Sequence, residues 1–141
     1  MTQDALSLAQ DLETKLSFHD RVILVLYAQD GPALSTMLLA DLEHVIPADK
    51  AAVQYKVYCS HSKCHNKTFD LADAEAVIYN GRRNCLNKTI GVIRKKGYSC
   101  NVKVDGSPHR GRKFQGEDGR IYHLITEAGK QRAEEILNEN I

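Results

Sequence analysis

The chain has no apolar run long enough to cross a bilayer. Its longest, Val22 to Ala28, falls far short of the roughly 20 residues that a spanning helix needs. A secretory signal is missing too, because Asp4, Asp11 and Glu13 stand where such a signal needs positive charge and then a long apolar stretch, so a cytoplasmic location is expected. There is no phosphate-cradling glycine loop, no His-Glu-x-x-His and no serine elbow, and the 6 histidines (His19, His44, His61, His65, His109, His123) are scattered. The chain is therefore not expected to be an enzyme, and no cofactor is expected. Of 4 cysteines, Cys59 and Cys64 lie beside His61 and His65, residue types that zinc prefers. No second Cys-x-x-Cys pair follows to complete the site, so reduced thiols in a polar loop are the stronger reading.

What the chain does have is positive charge in one place. The net charge is +1, yet residues 1–78 hold 6 Lys/Arg against 11 Asp/Glu, residues 79–113 hold 10 against the single acid Asp105, and residues 114–141 hold 3 against 6. A cationic block of this kind sits where a phosphate backbone would be met. Few aromatics accompany it, which disfavours RNA, where bases stack on exposed rings.

Periodicity predicts a mainly α protein with a small β wing, an α+β winged helix-turn-helix. Residues 2–16 read as an amphipathic helix with Ala5, Ala9, Leu12 and Leu16 on one side. Ser17 to Asp20 resembles a capping box opening a second helix, which Asp30-Gly31-Pro32 breaks. Ser35 can cap a third, with Leu38, Leu39, Leu42 and Val45, stopped by Pro47. Residues 48–59 fit a strand (Val53, Tyr55, Val57, Cys59) and a helix (Ala48, Ala52, Tyr55, Cys59). With the helical choice, residues 34–63 form a first helix-turn-helix and the chain holds two in tandem. Two short helices follow at residues 70–79 and 86–96, separated by a turn at Asn80-Gly81, with Leu86, Ile90 and Ile93 inward and Gly97 as a left-handed cap. Tyr98, Cys100, Val102 and Val104 alternate as a strand, a glycine-rich polar loop leads to a return strand at residues 121–125, and Thr126 can cap a last helix over residues 127–138. The expected division is an N-terminal helical region at 1–66 and a winged domain at 67–141.

With these residues laid out, the second half resembles the winged-helix and helix-turn-helix regulators of prokaryotes and their phages. The residues that carry the resemblance are Thr68 to Ala76, then Leu86 to Tyr98 with its Ile-Arg-Lys-Lys-Gly-Tyr, and Arg120 to Gly129 with its Tyr-His-Leu-Ile-Thr-Glu-Ala-Gly. The resemblance implies sequence-specific binding to double-stranded DNA and a role in transcription, as a homodimer on paired half-sites. In that mode Asn84 and Asn87 pair with adenine edges, Arg83, Lys88 and Arg94 contact guanine or phosphate, and Arg82, Lys95 and Lys96 touch the backbone. The wing tip, His109, Arg110, Arg112 and Lys113, suits a narrow minor groove. The rival reading keeps the winged helix but docks it on another protein, using the acidic first half and the apolar Leu38, Leu39 and Leu42.

Overall fold

The computed structural model describes residues 2–53, 74–109 and 120–140. Helix α1 spans Thr2–Gln10 and stops well before residue 16, where the apolar pattern had placed its end. The cause is local. The Asp11 carboxylate accepts from the Glu13 N–H and the Thr14 hydroxyl, both at 2.9 Å, which offers the backbone an alternative to the next helical turn. The guanidinium of Arg21, itself buried, then donates to the carbonyls of Ala9 at 2.8 Å, Asp11 at 2.7 Å and Thr14 at 2.7 Å. These oxygens sit at and just beyond the negative end of α1, where a cation is favoured. Leu12, assigned to the apolar face in a longer helix, is left 66% exposed.

Helix α2, Phe18–Ala28, begins at Ser17 as expected, the serine oxygen accepting from the Asp20 N–H at 3.2 Å. Ala5 and Ala9 of α1 are fully buried, and such small side chains let α1 lie close on α2. Gly31, at φ +113°, then turns the chain into α3, Ser35–Leu42, and a single 3-10 turn, Glu43–Val45. Ser35 is the first helical residue and not its cap; Leu34 holds the cap position without a side-chain bond. Leu38, Leu39 and Leu42 are core residues, so they offer no docking face to a partner.

Residues 48–53 are helical, in line with the helical choice for this segment, and the remainder of 48–59 lies outside the described residues. The largest departure follows. Helix α4 runs without interruption through Ala74–Lys95, so Asn80-Gly81 is not a turn, and the two-helix reading of residues 70–96 is wrong. Gly81 serves a different purpose: a Cβ there would overlap the carbonyl of Ala51, so its bare backbone lets α4 cross against residues 48–53. Its neighbours Leu86, Ile90 and Ile93 point into the core as anticipated. Gly97 ends the helix at φ +83°, with the Tyr98 N–H donating to the Ile93 carbonyl at 3.1 Å and the Gly97 N–H to the Arg94 carbonyl at 3.0 Å, the paired bonds of a left-handed cap.

Strands β1, Ser99–Val102, and β2, Tyr122–Ile125, pair antiparallel with Asn101 opposite His123. β1 stops at Val102 and does not reach Val104. The Asp105 carboxylate gathers the Ser107 N–H and hydroxyl, and Gly106 at φ +88° completes a tight reversal that brings Pro108 back against Val102. On the far edge of β2, Ala33 exchanges two backbone hydrogen bonds with His123 at 2.9 and 2.8 Å, tying the hairpin to the segment between α2 and α3. Thr126 caps α5, Glu127–Glu139, by accepting from the Gly129 N–H at 3.1 Å, as expected. An Arg132–Asp20 ion pair at 3.4 Å joins α5 to α2. The architecture is α+β, mainly helical with a small antiparallel sheet. Buried residues from both sides of the expected boundary at 66 share one hydrophobic core.

Two glycines of α4 give opposite expectations. Gly81→Ala drives a methyl into the Ala51 carbonyl and lowers stability by about 2 kcal/mol or more, as overpacking does. Gly91→Ala meets nothing within 4 Å and raises stability by up to about 1 kcal/mol through helix propensity. Urea denaturation of the two variants checks both; equal effects would remove the Gly81 contact from the account. Arg21→Met strands three backbone carbonyls and is expected to cost about 2–4 kcal/mol by the same measurement.

Candidate nucleic-acid interface

From Tyr79 to Lys103 the chain contains no acidic residue, and most of this stretch is α4. At 3.6 residues per turn, Arg83, Asn87 and Arg94 fall on one line along the helix and Asn84, Lys88 and Lys95 on a second beside it. All but Asn84, which is half-buried, are exposed. Gly91 lies between the two lines, leaving the centre of the face without a side chain. Packing of Leu86, Ile90 and Ile93 on the opposite side holds this face outward. The result is a flat cationic strip with two amides that can donate to or accept from base edges.

Two of the expected contact residues are not on that strip. The Arg82 Nε donates to the Ile46 carbonyl at 2.9 Å, which ties α4 to the end of the turn after α3. Lys96 projects from the other flank and lines a groove with Ser17, His19, Asp20 and Arg132. His109 is half-buried in the hairpin, its N–H donating to the Asn101 carbonyl at 3.2 Å. Arg110, Arg112 and Lys113 lie outside the described residues, as do Cys59, His61, Cys64 and His65. Among the described residues, no group of three or more His, Cys, Asp or Glu could hold a metal ion. No described helix is long and apolar enough to cross a membrane. Cys85 and Cys100 are free thiols, partly packed on α4 and β1.

The hairpin stands next to the C-terminal end of the strip. The link is electrostatic. Burial pushes the His123 imidazole below the ordinary histidine value, and the Arg94 guanidinium pushes it the same way. Both effects favour the neutral imidazole beside the exposed Arg94. Across the strand pair, Asn101 Oδ1 and His123 Nδ1 are both buried, with no hydrogen-bond partner among the described residues.

No family model, curated protein or solved structure matches the chain.

Sequence reasoning identified the cations of α4 but not the open centre at Gly91 or the diversion of Arg82, and it passed over Lys50, which the fold brings to the same cleft as Lys88. The signal for Gly91 was present, since a glycine in mid-helix is costly and invites a reason. Arg82 and Lys50 left none, because each depends on a contact distant in sequence.

Titration of His123 has a defined sign. The unfolded chain takes up a proton near pH 6.5 while the folded protein resists it, so the stabilisation is fully present above that pH and is lost as pH falls toward the depressed folded value. Between pH 7 and pH 5 the unfolding free energy should decline, this group contributing at most about 1.4 kcal/mol per pH unit. His123→Asn should flatten the decline; urea midpoints showing an unchanged slope would assign it to another group.

Proposed function

We propose that the protein binds double-stranded DNA through the outward strip of α4 and the adjoining hairpin, and regulates transcription from that position. The observation that carries this reading is the acid-free cationic strip of Arg83, Asn87, Lys88, Arg94 and Lys95, held outward by a buried apolar face and ending beside a β hairpin. The element order supports a winged helix: α2, the Ala33 bridge, α3, the helical residues 48–53, α4, β1, β2, then α5. Helices α2, α3 and α4 each pack on the other two. In this form of the proposal the helix pair is α3 and α4, in place of two halves of residues 70–96, with the C-terminal part of α4 in the major groove. Arg110, Arg112 and Lys113 lie in sequence between the two strands of the hairpin and supply charge for the minor groove. Association as a homodimer would pair two such strips on adjacent half-sites and raise both affinity and specificity.

The protein-docking alternative draws less support, since its apolar leucines are core. Net charge near zero also fits a local DNA contact, because affinity for a polyanion follows the cations that meet phosphates. A duplex selected from a random pool, bound to wild type and to Arg83→Ala with Arg94→Ala, provides the test. At moderate salt the double variant should bind at least tenfold more weakly, and the slope of log K against log salt should fall by about 1.8, the share of two phosphates. Wild-type affinity with an unaltered salt slope would exclude the strip from binding.

A further inference from the structure

A cleft of 310 Å³ opens between the start of α2, residues 45–50 and one flank of α4. Its floor is apolar, built from Phe18, Val45, Ile46, Pro47 and Val92. On α4 it follows the spacing Cys85, Lys88, Thr89 and Val92, one continuous flank of the helix. The charge around it has a single sign. Lys50 and Lys88 line the cleft from opposite walls, both exposed, and among the described residues no carboxylate lines it. Burial pushes the partly buried Cys85 thiol above its ordinary value, and the charges of Lys88 and Lys50 act on it in the opposite direction.

We propose that this cleft binds a small apolar monoanion, an aromatic or short aliphatic carboxylate, with its hydrocarbon on the floor and its carboxylate between Lys50 and Lys88. The volume matches the low end of small-molecule sites and leaves room for one or two rings. A cation is repelled by the two lysines. A phosphate without an apolar body makes no use of the floor, and a neutral apolar molecule gains nothing from the ammonium groups. Apolar burial supplies affinity here and the paired charges supply selection for the anion. Lys88 also belongs to the cationic strip, so a bound carboxylate neutralises one of the strip's charges. That consequence for DNA rests on the reading proposed above; the ligand site does not.

Calorimetric titration of the full chain with naphthalene-1-carboxylate, and separately with neutral naphthalene-1-carboxamide, tests the site. The carboxylate should bind saturably at one site per chain, and the carboxamide at least tenfold more weakly. Lys50→Gln with Lys88→Gln should weaken the carboxylate at least tenfold. Val92→Trp, which fills the floor, should abolish binding while circular dichroism shows the helices retained. No saturable binding of the carboxylate, equal binding of the carboxamide, or wild-type affinity in either variant would overturn the proposal. Duplex binding measured in parallel keeps the two readings apart: carboxylate binding without any DNA binding preserves the ligand site and removes the regulator.

Discussion

One steric contact organises the C-terminal half of this protein, the bare backbone of Gly81 against the carbonyl of Ala51. Because no side chain intervenes, α4 crosses residues 48–53 at backbone distance and continues past the point where Asn80-Gly81 invites a turn. The helix that results is 22 residues long. Its register is then set at both ends of its middle: Arg82 is drawn to the Ile46 carbonyl, and Leu86, Ile90 and Ile93 enter the core. The cationic strip and the cleft beside it are two flanks of this single helix, so both inherit their positions from the same crossing.

A second set of contacts fixes the frame against which α4 packs. Arg21 collects three carbonyls at and beyond the end of α1, and His44 donates to a fourth, that of Gln10, at 3.0 Å. Such an arrangement removes the orphan acceptors of a helix end without water and bends the chain sharply into α2. At the other end, the Ala33 bridge to His123 and the Thr126 hydroxyl on the Gly97 carbonyl attach the hairpin to the helical frame from two sides. The hairpin is thereby fixed in place next to the strip by hydrogen bonds from two elements.

Local chemistry was legible for most features that depend on neighbours in the chain, the cap of α3 and the reversal at Asp105 excepted. Ser17 and Thr126 cap their helices, Gly97 closes α4 in the left-handed conformation, and alternation places β1 and β2, because each involves residues within a few positions of one another. The outward cations of α4 were legible for the same reason, since the helical period separates them from Leu86, Ile90 and Ile93.

What propensity could not decide was which of two local options a distant partner would favour. Asn80-Gly81 suits a turn and is helix, because Ala51 rewards a missing side chain. Residues 11–16 suit a helix and are loop, because Arg21 rewards exposed carbonyls. Leu38, Leu39 and Leu42 suit a docking face and are core, because α2 and α4 cover them. The amino-acid order thus settled the class of elements, most of their caps and the sign of charge on each. Long-range packing settled whether Gly81 bends or crosses, where Arg82 is spent and that Lys50 and Lys88 line one cleft, since steric fit and hydrogen-bond satisfaction between remote segments exceed the weak preferences of the local backbone.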